Sequence, residues 1–199
     1  MKNGTRDGSA LILGGGKGSR MGYDKKNLEI AGMRVMDTLI TELTSLFREV
    51  WVSANDFFTS PHARTLPDTV GSGPLAGIYQ GLTHCTGAYL YVTACDMPFI
   101  SPPYIAYMRE IISSKAPDAC VTRREDGFIE PFNSFFHKRC VGTLYDALTR
   151  KEYKIRPFLD KLTLHIIEPE IAARYGDGLF YNINTEEDLA RARGNRRQP

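Results

Sequence analysis

Ala10–Leu13 is a run of four apolar residues that ends against Gly14, Gly15 and Gly16, with Gly18 close behind Lys17. An apolar run cut short by glycine reads as a buried strand feeding a loop. No other stretch constrains the fold as tightly. Glycines let backbone N–H groups approach phosphate oxygens with no Cβ in the way. Arg20 adds a guanidinium fork to the same loop and Lys25 a point charge. A loop of this length would wrap a triphosphate rather than cap it at one helix end. The competing reading is a glycine-rich turn carrying solvated cations.

Spacing excludes two well-known phosphate loops. A Walker A loop needs G-x-x-x-x-G-K-[ST], but counting back from Gly16 puts its first glycine at Leu11, and Gly18 follows the lysine. A dinucleotide fingerprint, G-x-G-x-x-G, ends at Ser19 when started from Gly14 and at Met21 when started from Gly16.

Beyond the loop, strand and helix patterns alternate. VMDTLITELTSLF, from Val35 to Phe47, places Val35, Leu39, Leu43 and Leu46 on one helical face. Val50–Ala54 reads as a strand ending at Asn55, and Pro74 can open a helix after a looser segment containing Pro61, Pro67 and Asp68. Ala88–Ala94 is the strongest strand pattern and runs directly into Cys95-Asp96. A helix over Pro103–Ser113, strands at Asp118–Thr122 and Pro131–Phe136, a helix through Leu144–Leu148, a strand at Thr163–Ile167 and a helix capped by Thr185 complete the pattern. This predicts a single α/β domain with a mostly parallel twisted sheet and helices on both faces. With 199 residues there is room for one well-buried core and too little for two ordinary domains. The domain is expected over residues 10–193, with flexible termini at 1–9 and 194–199.

Composition narrows the function classes. Lys plus Arg number 25 against 23 Asp plus Glu, a formal net charge of +2, too small a field to imply nucleic-acid binding. Cys85, Cys95, Cys120 and Cys140 have no metal-ribbon or redox spacing and read as reduced packing residues; His62, His84, His137 and His165 are equally scattered. No apolar run approaches the ~20 residues that span a bilayer. A cytoplasmic protein that binds neither membrane nor nucleic acid is expected.

LGGGKGSRMGYDK, from Leu13 to Lys25, resembles the signature L-A-G-G-x-x-x-R-M-G-x-D-K of the MobA-like nucleotidyltransferases. GPLAGI (Gly73–Ile78), CDMPFI (Cys95–Ile100), EPF (Glu130–Phe132) and NINTEEDL (Asn182–Leu189) follow in family order, so the likeness covers nearly the whole chain. One residue departs from the pattern. Gly14 stands where the signature has alanine, and the missing methyl is expected to loosen the loop.

The resemblance implies a Rossmann-like nucleotidyltransferase fold. The implied reaction transfers GMP from GTP to the terminal phosphate of molybdopterin with release of pyrophosphate, and molybdoenzymes or cofactor-delivery proteins would be downstream partners. A phosphate monoester is already largely a dianion near neutral pH, with a second pKa of about 6, so no general base is needed. Cations and positioning must do the work instead. Arg20, Lys25 and Asp96 are the candidate catalytic residues, with Asp96 as the ligand of a Mg²⁺ ion, which prefers one or two carboxylates plus phosphate oxygens and water. The alternative for Asp96 is a turn cap before Pro98.

By the same resemblance, Leu13, Gly14, Gly15 and Gly16 join Lys25, Asn55, Asp68 and Asp96 in the nucleotide site. The same resemblance implies that Asn182 and Asn184 lie on the pterin side. Asn55 reads equally as a cap, Asp68 as a surface carboxylate, and the asparagines as neighbours of a capping box at Thr185–Asp188. Arg156 is a candidate for a substrate phosphate or a plain surface ion pair. No residue distinguishes guanine from cytosine directly, so a cytidylyltransferase remains open, as does a carrier that binds nucleotide or cofactor without catalysis.

Overall fold

Strand β1 (Ser9–Leu13) is buried along its whole length as an interior strand of a seven-stranded sheet. The structure is a computed structural model in which residues 7–14, 28–54 and 59–195 are described. A two-stranded hairpin, β2 (Glu29–Ile30) and β3 (Met33–Arg34), leads into α1 (Val35–Leu46). Then come β4 (Glu49–Ser53), β5 (Arg64–Leu66), α2 (Pro74–His84) and β6 (Tyr89–Ala94). The second half runs α3 (Pro102–Lys115), β7 (Ala119–Arg123), β8 (Ile129–His137), α4 (Val141–Thr149), α5 (Ile155–Leu159), β9 (Leu164–Ile167), α6 (Pro169–Ala172) and α7 (Glu186–Asn195).

The main sheet has the order β5-β4-β1-β6-β8-β7-β9. Every pairing is parallel except the two made by β8. Period-two alternation divides the core. Ala10, Ile12 and Tyr91 face a layer formed by α1, α3 and α7, while Leu11, Leu13, Leu90 and Val92 face α2, α4 and α5. Helices therefore cover both faces of one domain, as the sequence pattern predicts.

Local chemistry explains the element that packs most closely. Pro74 supplies a fixed φ at the first position of α2, after Gly73 at φ +78°. Further along α2, a Cβ at Gly77 would stand 2.5 Å from Leu13 Cδ2, and one at Gly81 would stand 2.6 Å from Leu90 Cδ2. These two glycines, one turn apart, let α2 lie directly on β1, β4 and β6.

Four features went unread in the sequence: the β2–β3 hairpin, β5, and the short helices α5 and α6. β1 also begins at Ser9, and α7 continues to Asn195, so the two ends of the fold reach slightly past 10–193. The direction of β8 comes from a tight hairpin, in which the Arg124 N–H donates to the Phe128 carbonyl at 2.8 Å and Gly127 sits at φ +81°. Asp126-Gly127 between two apolar runs is the sequence signal for that reversal.

Candidate functional site

The sheet order reverses between β1 and β6, because β4 and β5 build outward on one side of β1 and the rest of the sheet on the other. The crevice at the carboxyl ends of the strands beside such a reversal is where open α/β sheets bind ligands. Here the strand ends are laced together. Gly14 N–H donates to the Ser53 carbonyl at 2.9 Å, Cys95 N–H to the Leu13 carbonyl at 3.1 Å, and Ala54 N–H to the Leu66 carbonyl at 3.1 Å. The loops that follow β1, β4 and β6 thus leave from one fixed line.

Asp96 stands half-buried two residues beyond β6, in a turn closed by Met97 N–H on the Ala94 carbonyl at 3.0 Å. Because β8 runs the other way, its first residues reach the same edge. Glu130, 6% exposed, accepts from the Phe132 N–H at 3.2 Å and lies 3.6 Å from the Arg124 guanidinium. Burial pushes the Glu130 carboxyl up from its ordinary value, against the pull of the Phe132 N–H and Arg124, and the charge of Asp96 adds to the rise. In the sequence Glu130 stands within EPF with no role assigned to it. The available signal was an acid inside an otherwise apolar strand.

The segment before α7 closes over this edge. Ile183 N–H donates to the Asp96 carbonyl at 2.8 Å, which brings Asn182 and Asn184 alongside Asp96. Asn182 Oδ1 is buried with no hydrogen-bond partner among the described residues, a costly state that a ligand donor would relieve. Asn184 is tied into the helix start, its N–H and that of Thr185 each 3.0 Å from Asp188 Oδ2, while Thr185 Oγ1 accepts from Asp188 N–H at 3.1 Å. This is a capping box with aspartate in the glutamate position. The Asn184 and Thr185 donors hold the Asp188 carboxyl below its usual value. Next to this segment, on the β7 side of Asp96, opens a cavity of about 440 Å³ whose walls include Arg123, Arg124, Gly178, Leu179, Phe180 and Tyr181.

On the other side of β1, Asp68 is half-buried just past β5 and accepts from Ser53 Oγ at 3.2 Å. That contact ties the loop after β5 to the end of β4. Leu13 is 8% exposed, and its carbonyl and the Gly14 N–H are taken by the neighbouring strands. At these two positions the sheet uses the backbone groups to fix where the loop begins. The loosening expected at Gly14 is not what surrounds it: a Cβ there would lie 3.0 Å from the Ser53 carbonyl oxygen and 3.1 Å from a Val52 methyl. Glycine lets β1 and β4 finish in close contact. Gly15, Gly16, Arg20, Lys25 and Asn55 lie outside the described residues. Arg156 bonds Asp160 at 3.1 Å with both side chains 61% exposed, the surface ion pair of the two readings.

The described donors suit a hard cation better than a soft one. Asp96 and Glu130 offer carboxylate oxygens at one edge, and the imidazoles stand elsewhere. His137 ends β8 against Tyr89, His84 ends α2, His165 is second in β9 and His62 precedes β5. Among the described residues no helix is long and apolar enough to cross a membrane.

Comparison with known proteins agrees with this architecture. The family model for the MobA-like NTP transferase domain matches residues 10–166. The chain is 35% identical over 191 residues to the molybdenum cofactor guanylyltransferase of Syntrophotalea carbinolica, covering 94% of this chain and 90% of that one. It is 33% identical to the probable molybdenum cofactor guanylyltransferase of Peptoclostridium acidaminophilum, over 92% of this chain and 86% of the relative. Among solved structures, molybdopterin-guanine dinucleotide biosynthesis protein A from Archaeoglobus fulgidus superposes with a TM-score of 0.84 at 22% identity, over 96% of this chain and all of that one. The 2-C-methyl-D-erythritol 4-phosphate cytidylyltransferase of Thermus thermophilus shares the fold at a TM-score of 0.70 and 17% identity, over 96% and 99% of the two chains. With that domain matched across most of its length and a 35% identical relative along nearly all of it, this chain belongs to the MobA-like NTP transferase family.

Proposed function

We propose that this chain is a guanylyltransferase that moves GMP from GTP to the terminal phosphate of molybdopterin in the cytoplasm. A terminal phosphate oxygen attacks the α-phosphorus of GTP, the bond to the β-phosphate oxygen breaks, and its electron pair leaves with pyrophosphate. The names of the relatives support the substrates. The structural observation that carries the reading is the position of Asp96. It stands at the reversal of the sheet, with Asp68 and the ends of β1, β4 and β5 on one side and the cavity near Asn182 on the other.

Two anions must meet in this reaction, so the protein's task is to cancel repulsion and fix alignment. Arg20 and Lys25 neutralise the triphosphate and the departing pyrophosphate. Gly15 and Gly16 bring backbone to the phosphates, with Leu13 and Gly14 fixing where that loop begins, and Asn55 and Asp68 hold the nucleoside. Asn182 and Asn184 hold the acceptor, and a donor on it would satisfy the buried Asn182 Oδ1, which has no partner among the described residues. Asp96, with Glu130 beside it, would hold Mg²⁺. When bound, that ion would supply positive charge shared between the phosphate oxygens. No proton needs to leave the nucleophile, since the monoester is already largely a dianion near neutral pH.

The test is turnover with GTP, CTP, ATP or UTP, each with Mg²⁺ and molybdopterin, read as released pyrophosphate. GTP should be used, and chelation with EDTA should stop the reaction until Mg²⁺ is restored. CTP turnover without GTP turnover would overturn the base assignment. Tight pterin binding with no turnover on any nucleotide would make the chain a carrier.

A further inference from the structure

Asn133 lies inside strand β8, where a residue other than glycine should not be left-handed, yet its φ is +50° and it is 1% exposed. Asparagine tolerates that conformation better than most residues, but burying it there still needs compensation. The cause is a bulge. On β7, Cys120 pairs with Phe135 and Thr122 with Glu130, so four residues of β8 stand opposite Val121 alone. The bulge satisfies its own polar groups: Ser134 Oγ donates to the Phe132 carbonyl at 3.0 Å, and Glu130 accepts from the Phe132 N–H. It is a built feature, and it turns the Asn133 amide out of the ladder.

That amide has two partners. Its Oδ1 accepts from the buried Tyr91 hydroxyl at 3.0 Å, and its Nδ2 donates to the carbonyl of Leu179. Leu179 belongs to the segment that crosses the site, and four residues later Ile183 N–H is pinned to the Asp96 carbonyl. Phe180, Tyr181 and Asn182 are therefore slung between two anchors, one on Asn133 and one on Asp96. The first anchor fixes where Phe180 and Tyr181 wall the cavity and where the buried Asn182 Oδ1 lies behind them.

We propose that Asn133 is a positioning residue for the acceptor: by holding the Leu179 carbonyl it sets the strap that carries Asn182 past Asp96. This rests on the reading above that the acceptor binds on the cavity side of Asp96. Asn133 touches no substrate, and the nucleotide side of the sheet does not depend on it.

The test separates the strap from the core. Asn133→Gly keeps the left-handed backbone without strain and removes both side-chain bonds. Asn133→Asp keeps the acceptor for Tyr91 but turns a donor into an acceptor facing the Leu179 carbonyl. Tyr91→Phe removes the hydroxyl while leaving the Leu179 bond intact. Both Asn133 variants should raise KM for molybdopterin on the order of tenfold, with kcat and the KM for GTP changed less than about twofold. Hydrogen exchange at the Tyr181 and Ile183 amides should speed up in both, and Tyr91→Phe should leave KM and exchange as in the wild type. Equal effects from Tyr91→Phe and Asn133→Gly would overturn the proposal, as would wild-type exchange in the Asn133 variants. Should Asn133→Gly not fold, Asn133→Asp decides alone by the same readings. Exchange needs no substrate, so a wild-type protein that fails to turn over GTP and molybdopterin refutes the functional reading while leaving the strap measurable.

Discussion

The two halves of the sheet edge are built in opposite ways. From β5 to β6 the strands are parallel and in unbroken register, and their ends are joined by backbone hydrogen bonds one residue beyond the ladder. From β8 to β9 the edge contains a reversed strand, a bulge, a left-handed asparagine and a buried glutamate. The difference teaches where precision comes from. A nucleoside triphosphate can be gripped by a repetitive backbone platform followed by a glycine-rich loop, because phosphate recognition needs N–H groups and positive charge. An acceptor that must be recognised by more than its phosphate needs individually placed side chains, and here those come where regular pairing is broken.

Substitutions along the edge should respect this division. The largest loss is expected at its midpoint: Asp96→Ala should cut turnover by about 10³-fold or more, measured as initial rates at saturating GTP and molybdopterin. The regular half should respond to volume. Gly77→Ala would put a methyl 2.5 Å from Leu13 Cδ2 and 2.7 Å from Ser53 Oγ. It should cost about 1–3 kcal/mol in denaturant unfolding, with GTP affinity falling before acceptor affinity. If acceptor affinity falls first, the division is drawn in the wrong place.

How much of this could be read from the sequence follows the same line. The strand before Gly14, the strand ending at Asp96 and the helix opened by Pro74 are local signals, carried by apolar runs, glycine and proline within a few residues. The irregular half depends on partners far away in the chain. Nothing near Asn133 announces a left-handed turn, because its cause is pairing with β7 and its consequence is a contact 46 residues on, at Leu179. Glu130 carries no local signal of its role, since its environment is made by Asp96 and Arg124. β5 is three residues long and exists mainly because β4 pairs with it. At Asn182 and Asn184 the sequence allowed capping or substrate binding; the Asn184 backbone N–H joins the start of α7, while Asn182 Oδ1 is buried with no hydrogen-bond partner among the described residues.

Two smaller effects sharpen the contrast. The folded-state pKa of Glu130 is raised, mainly by burial. The folded protein therefore holds this proton more tightly than the unfolded chain, and stability drops as pH rises from the unfolded value through the folded one. Relative to the wild type, Glu130→Gln should gain stability across that window, seen as a difference in Tm from mildly acidic to neutral pH. A constant difference would mean that folding does not raise the Glu130 pKa. Thr185→Ala removes the cap of α7 and should cost about 1 kcal/mol with little change in the KM for GTP, measured by thermal unfolding and steady-state kinetics.

The most direct measurement is a crystal structure with GTP and Mg²⁺ bound and no acceptor present. The α-phosphate should lie beside Asp96 and the nucleoside along the β4–β5 side near Asp68, leaving the space walled by Phe180 and Tyr181 open. Guanine seated in that space, with the triphosphate pointing away from the loop after β1, would contradict the assignment of the two halves.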